Sequence, residues 1–364
     1  MKITHIDIHR LSIKMVPFAI STGIMEYAQN VFIRIHTDEN LYGVGECSAF
    51  PIIVGETQGS CLLLAKSFAK IWKDKNPLAI EDRLQELDNF IARNTTIKSA
   101  FDMALYDIAA KHAKMPLYKF LGGEKKKITT DITVGIGTPE EMAEQAVQFA
   151  QKGATYLKVK LGKTPSVDIE RIKMIRKGIG MDIPIRVDAN QGWSIEDAHQ
   201  VLNGIKDQNI QFCEQPLRTY DDYRVAELMK YKIPIMADES CYNAHDAERL
   251  AREMACDYIN IKLAKSGGIS EARRIHKIAT DNDISCMMGG MLESRLALTA
   301  MVHLTFACPQ IKFFDLDTCL IGHLEDPVKD GLQFNGYEIA IDDLPGIGAD
   351  IDEKYLTNYD KTTV

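Results

Sequence analysis

Tryptophan is nearly absent from this 364-residue chain; it occurs only at Trp72 and Trp193, too few for an aromatic binding platform. Positive charge is also in short supply. The 43 lysines and arginines face 51 aspartates and glutamates, and the formal net charge of −8 speaks against a broad phosphate-binding surface and against nucleic acid as a partner. The eight cysteines form no CxxC pair, which favours reduced thiols over a zinc site or a disulfide framework. The nine histidines show no ligand spacing and read mostly as surface or capping residues. No apolar run has the length of a membrane span, and Met1-Lys2-Ile3-Thr4-His5-Ile6-Asp7 carries charges where a signal peptide is apolar. The expectation is a cytoplasmic protein without a membrane partner, and a homo-oligomer is compatible with everything in the sequence. No low-complexity segment is present.

What is present is 46% apolar residues, enough for a large buried core. Three regions separate by pattern. In residues 1–123, Ile6, Ile8, Val31, Ile33 and Ile35 alternate as half-buried strands require, and 99–109 reads as an amphipathic helix closed by Pro116 and Gly122-Gly123. In residues 124–321, eight β-rich runs (131–134, 156–160, 183–188, 210–214, 233–238, 257–262, 283–288 and 311–317) are each followed by a helical run. The polar ends of six of them lie at Lys160, Asp188, Glu214, Asp238, Lys262 and Asp315. The first four intervals are 28, 26, 24 and 24 residues, and the last is 53, room for two units. A βα unit repeating eight times predicts an α/β fold with a (β/α)8-type TIM barrel. Thr138 before Pro139-Glu140-Glu141 and Ser194 before 195 are expected helix caps. Residues 322–364, with Gly- and Asp-rich turns, are expected to pack back on the first region, completing an N-terminal α+β capping domain.

Side chains two apart on a strand share a face, so Lys158 and Lys160 point together into the barrel. Asp188, Glu214, Asp238 and Lys262 end neighbouring strands, and barrel chemistry sits at the C-terminal strand ends. One strand-end acid alone reads equally well as a cap or a surface ion pair. Three from adjacent strands form a hard oxygen cage suited to Mg²⁺. Lys160 and Lys262 stand almost opposite each other around the ring. One neutral lysine could take a proton from one face of a metal-held substrate while the other ammonium donates to the opposite face. A nearby metal and the neighbouring cation are expected to lower a lysine pKa. The metal would answer the main difficulty, since removing a proton beside a carboxylate gives a doubly charged enediolate. Lys158 adds a second positive contact, or serves as partner to a barrel carboxylate.

The ordered segments Lys158-Val159-Lys160, Arg186-Val187-Asp188-Ala189-Asn190-Gln191-Gly192-Trp193, Glu214-Gln215-Pro216, Ala237-Asp238-Glu239-Ser240 and Asn260-Ile261-Lys262-Leu263-Ala264-Lys265-Ser266-Gly267-Gly268-Ile269 resemble the enolase superfamily, its muconate-lactonizing subgroup, and within that the dipeptide epimerases. The resemblance covers nearly the whole chain. It implies Asp188, Glu214 and Asp238 as ligands of one Mg²⁺ per subunit, Lys160 and Lys262 as the acid/base pair, and Lys158 as a contact to the substrate carboxylate; the lysine-and-Mg²⁺ scheme belongs to the superfamily. Lys265 is a rival for the second lysine, but Lys262 is in phase with Asn260. Asp315 and Asp317 at the end of strand eight are similar to the pair that holds the free α-amino group in dipeptide epimerases, although they also read as an ordinary loop pair. Thr133 and the Gly289-Gly290 backbone are expected to complete the peptide contacts.

In this family two loops of the first domain set side-chain preference; here they fall at about 19–30 and 47–56. Neither contains Arg or Lys, the natural partner of an acidic second residue. Ile24, Met25, Phe50, Ile52, Ile53 and Val54 suit a neutral, small or hydrophobic residue after alanine, or else merely seal the domain interface. Gly23 and Gly55 would let the loops move. The expected partner is therefore a dipeptide, epimerised at the Cα of its C-terminal residue. Muconate-type cycloisomerisation and o-succinylbenzoate synthesis share the lysines and metal and remain open. A non-catalytic metal- or peptide-binding barrel gives no reason for two opposed lysines. A Schiff-base aldolase needs no three-acid cage.

Overall fold

Alternating apolar residues build the first sheet. β1 (Ile3–Ile20), β2 (Gly23–Thr37) and β3 (Tyr42–Ser48) run antiparallel. Ile6 lies opposite Ile35 and Ile8 opposite Ile33, so these side chains share a face, which packs on Phe68, Trp72 and Phe101. This computed structural model describes residues 1–20 and 23–364; Ser21 and Thr22, inside the first expected loop, lie outside the described residues.

The helix expected at 99–109 runs from Thr95 to His112 and is buried almost all round, rather than along one stripe. It is sandwiched between the sheet and the barrel. Gly43 and Gly45 of β3 permit the approach, because a Cβ there would lie 2.1 Å from the Ala104 carbonyl oxygen and 1.9 Å from that of Ala100. On the other side, the Asp102 carboxylate accepts from the N–H groups of Ile269 and Ser270 (2.5 and 3.2 Å), capping the helix Ile269–Asp281. Glu46 of β3 does the same for the helix Arg295–Ala307, accepting from Ser294 N–H (2.9 Å), Ser294 Oγ (2.6 Å) and Ala297 N–H (3.2 Å). Buried carboxylates at helix N-termini thus tie the first region to the barrel.

The eight parallel strands are β4 (Ile132–Val134), β5 (Leu157–Lys160), β6 (Ile185–Asp188), β7 (Ile210–Glu214), β8 (Ile235–Ala237), β9 (Tyr258–Ile261), β10 (Ser285–Gly289) and β11 (Ile311–Asp315), neighbours in chain order. The Asp131 N–H donating to the Phe314 carbonyl at 3.1 Å brings the ends of the sheet together. Thr138 and Ser194 form capping boxes at the starts of Pro139–Gln151 and Ile195–Ile205. One connection departs from the α-helical expectation: Thr219–Tyr231, between β7 and β8, is 3₁₀ helix. The tail returns to the first sheet, where β12 (Lys361–Thr363) pairs antiparallel with β1. Among the described residues no helix is long and apolar enough to cross a membrane.

Candidate active site

Parallel register places the charged residues. Lys160, Asp188 and Glu214 are consecutive partners across β5, β6 and β7, so all three face the interior at one level. Asp238 follows β8 by one residue. Lys262 follows β9 by one residue and opens the short helix Leu263–Ser266. The three acids and Lys158, Lys160, Lys262 and Lys265 are all buried.

The backbone around the acids is held in unusual conformations. Asn190 and Gln215, just beyond Asp188 and Glu214, have φ of 42° and 35°, a conformation that costs free energy and is kept only where surroundings enforce it. Asn190 N–H donates to Asp188 Oδ1 at 2.9 Å. Gln215 Oε1 accepts from the N–H groups of Asp238 (2.9 Å) and Ser240 (3.1 Å), so the turn after β7 aims the acid after β8.

Each acid meets ammonium groups. Lys160 Nζ lies 2.6 Å from Asp188 Oδ2. Lys262 Nζ is 2.9 Å from Asp238 Oδ2, and Lys265 Nζ is 2.7 Å from Asp238 Oδ1. Lys158 Nζ touches Asp315 (2.7 Å), Glu214 (2.8 Å) and Asp188 (3.2 Å). Burial alone would raise all three acids. Lys160 and Lys158 nevertheless hold Asp188 below its ordinary value, and Lys262 and Lys265 hold Asp238 well below. For Glu214 burial and the charge of Asp188 win, and it is pushed up to about 7. Burial lowers Lys262, but the attraction of Asp238 outweighs burial and raises it.

A second buried acid group stands at the end of β11. Asp315 and Asp317 come together there, and Asp131, just before β4, joins them, with one oxygen of each within 4.8 Å of the others. Asp131 is bound by Arg186 (2.7 Å). Asp317 Oδ2 accepts from the Thr133 N–H (2.6 Å), so Thr133 reaches the site through Asp317. Gly290 N–H donates to the Asp315 carbonyl (2.8 Å), so that donor is already engaged within the protein.

The expected specificity loops divide. Phe50 packs with Ala264 and Met291 of the barrel, joined by Met25, Ile53 and Val54, while Ile24 and Ile52 are 70% and 46% exposed. The Tyr242 hydroxyl donates to the Ile53 carbonyl (2.5 Å), tying the loop after β8 to the cap. These side chains therefore close a domain contact beside Lys262, whatever else they do.

Sequence reasoning gave no role to Asp131, Arg186, Glu239 and Glu293, and it set Lys265 aside as the second lysine although its ammonium lies 2.7 Å from Asp238 Oδ1. Glu239 and Glu293 are buried and raised to about 8 and 7, first by burial. Inward phase on the strand was a signal for Asp131 and Arg186; their pairing across the barrel had none. The histidines also need an amendment. His5 and His36 stack at 4.2 Å beside Asp7, but rings parallel within 7° do not aim at one ion.

The Asp188, Glu214 and Asp238 set fits a hard divalent cation. It offers only oxygen, its members come from adjacent strand ends, and Glu214 Oε2 and Asp238 Oδ2 are buried without a hydrogen bond although lysine ammoniums face them. The Asp131, Asp315 and Asp317 group is served instead by a guanidinium, Lys158 and a backbone N–H.

Residues 3–122 match the mandelate racemase/muconate lactonizing enzyme N-terminal domain, and residues 141–355 match the enolase C-terminal domain-like family. The chain is 41% identical over 368 residues to a D-Ala-D/L-Ala epimerase of Cytophaga hutchinsonii, covering 100% of both. The solved structure of the dipeptide epimerase from that organism, complexed with Mg and D-Ala-L-Val, superposes with a TM-score of 0.98 over 100% of both chains. An L-Ala-D/L-Glu epimerase of Clostridium acetobutylicum is 37% identical over 355 residues, 96% of this chain and 98% of its own. The structure of an N-succinyl Arg/Lys racemase from Bacillus cereus is 31% identical with a TM-score of 0.96, covering 100% of both chains. Matched in both its parts and alike over its full length, the chain belongs to the mandelate racemase/muconate lactonizing enzyme family of the enolase superfamily.

Proposed function

We propose that this protein is an Mg²⁺-dependent dipeptide epimerase that inverts the Cα of the C-terminal residue of Ala-Xaa dipeptides, Xaa being neutral, small or hydrophobic. One observation carries the reading. A buried Asp315–Asp317 pair lies beside a lysine-flanked set of three acids, joined to it by Lys158. One end suits an ammonium and the other a metal-held carboxylate, and a short peptide with free termini has both.

Asp188, Glu214 and Asp238 would hold Mg²⁺, which when bound withdraws charge from the substrate carboxylate and makes the adjacent C–H more acidic. Lys158 takes the same carboxylate from the interior side. Lys160 and Lys262, anchored on acids of β6 and the β8 end, hold their amino groups on opposite sides of that carbon, one removing the proton and the other returning one. Such positioned groups contribute about 10²–10⁴-fold each. Asp315 and Asp317 bind the α-ammonium, and Thr133 orients Asp317. Phe50, Met25 and Ile53 cover the C-terminal side chain without offering a cation. The Cytophaga relative, seen with D-Ala-L-Val, supports a neutral second residue. A cytoplasmic location, in keeping with eight free cysteines, belongs to the same reading. So does division into a 1–123 cap, a 124–321 barrel and a 322–364 tail; the family match at 3–122 supports the first boundary, while the match at 141–355 runs on into the tail.

The test is a panel of Ala-Val, Ala-Leu, Ala-Ala, Ala-Glu, N-succinyl amino acids and a muconolactone, assayed with Mg²⁺ for the second stereoisomer or for ring opening. The expected result is fastest turnover on Ala with a neutral partner. Best turnover of Ala-Glu would refute the loop argument alone. Activity confined to N-succinyl substrates or lactones would refute the dipeptide reading.

A further inference from the structure

The ammonium subsite contains more than its two expected aspartates. Asp131 is fully buried, and one oxygen each of Asp131, Asp315 and Asp317 lie within 4.8 Å of one another. Its Oδ2 accepts from Arg186 at 2.7 Å, while its Oδ1 is buried without a hydrogen-bond partner. Arg186 is fixed in place. Its Nε donates to Gln211 (2.8 Å) and its Nη1 to the Phe314 carbonyl (3.1 Å), and its guanidinium lies 4.5 Å from the Tyr156 ring centroid and 5.4 Å from that of Phe212. A permanently charged guanidinium is therefore bonded to the carbonyl of Phe314, the residue before Asp315 in the chain.

Without Asp131, that charge would turn on Asp315 and Asp317 and compete with any ligand cation. With Asp131, the group holds three carboxylates against two protein cations, Arg186 and Lys158, and Lys158 is shared with Glu214 and Asp188. An excess of acid groups over protein cations is left in a water-poor site, where a ligand cation would hold them in the charged form. Burial and the like charges of Asp315 and Asp317 push Asp131 upward, as expected of a carboxylate kept in a crowded acid group.

Resting on the dipeptide reading, we propose that Asp131 is a positioning residue for ammonium recognition. It absorbs Arg186, so that Asp315 and Asp317 stay free for a substrate with an unblocked α-amino group, and the site selects against N-acylated analogues. An N-acyl substrate brings no cation and would leave the acid excess unmatched.

The experiment uses the Mg²⁺-loaded full-length protein with two ligands that differ only at the amino end, Ala-Val as substrate and N-acetyl-Ala-Val as competitive inhibitor. The readout is the ratio of the inhibitor Ki to the substrate KM. Asp131→Asn, nearly isosteric, is expected to raise the KM for Ala-Val and cut that ratio at least tenfold. Arg186→Gln removes the competing cation and is expected to move the ratio the other way; it decides the matter if the first variant does not fold. Parallel changes for both ligands in both variants would mean a packing role and overturn the proposal alone. A wild-type protein that binds N-acetyl-Ala-Val as tightly as Ala-Val would overturn the dipeptide reading and this role together.

Discussion

Two groups of three buried acids share one barrel, and they differ in what answers their charge. Asp188, Glu214 and Asp238 face flexible lysine ammoniums, and two of their oxygens remain without a hydrogen bond. Asp131, Asp315 and Asp317 meet a guanidinium fixed among aromatic rings, a backbone N–H and a single lysine. A lysine is a mobile point charge that can withdraw and can change protonation, whereas an arginine here cannot. The first group is therefore suited to exchange its partners for a metal and to release lysines for proton transfer. The second, whose Asp131 and Asp317 are raised by burial and by the charge of Asp315, is suited to a cation of fixed shape that holds it in the charged form. The same residue type thus acquires two functions from its neighbours.

The most severe way to break this contrast is to disable the first group. Glu214→Gln, or chelation with EDTA, is expected to lower activity on the order of a thousandfold, with Mg²⁺ restoring the chelated protein and not the variant. Full activity after exhaustive chelation would remove the metal from the account. Disabling the second group should act differently. Asp315→Asn or Asp317→Asn is expected to raise KM for Ala-Xaa by about 10–100-fold, the cost of a lost charge-assisted hydrogen bond, with a smaller change in kcat. Steady-state kinetics decides this, and a pure kcat effect would contradict it. A weaker perturbation lies above both groups. Met25→Arg places a cation in the cap cluster and should move preference toward Ala-Glu by about tenfold; no shift in the kcat/KM ratio would leave the apolar cluster as a seal only.

The smallest effect sharpens the contrast with a buried group that has no counter-charge. His303 donates or accepts only through Tyr118 N–H and the Ile347 carbonyl, both at 3.0 Å, and burial lowers it to about 4. Its folded value lies below the unfolded one of about 6.5, so the folded state binds fewer protons in between. Its contribution to stability is intact above about 6.5 and lost as pH falls toward about 4, on the order of 3 kcal/mol in all. Denaturant titrations from pH 7 to 4 should show His303→Gln with a shallower loss than the parent. His323, also lowered to about 4 by burial, retains its share. Identical slopes would show that His303 is not buried neutral.

Much of this was legible in the sequence because strand period and unit spacing carry it. The run 210–214 and the strand Ile210–Glu214 coincide, and the facing of Lys158, Lys160 and Asp188 follows from period two alone. Asp238 and Lys262 lie one residue past their strands, where turn geometry rather than period sets direction. What the pattern could not carry is partnership across the barrel. Asp131 with Arg186, and Lys265 with Asp238, are 55 and 27 residues apart and meet only because the sheet curls. The helix at 95–112 reads as amphipathic because its second buried face meets another part of the chain, which a local window does not contain.

The central claim is that Lys160 and Lys262 serve opposite faces of one carbon. Proton NMR in D₂O, starting separately from each diastereomer of Ala-Val with Mg²⁺, tests it on the parent, Lys160→Met and Lys262→Met. The account predicts that the parent exchanges the second-residue Cα proton from both diastereomers and interconverts them. Each lysine variant should lose interconversion yet keep exchange from one diastereomer only, a different one for each variant. Loss of exchange from the same diastereomer in both variants, or interconversion surviving in either, would contradict it.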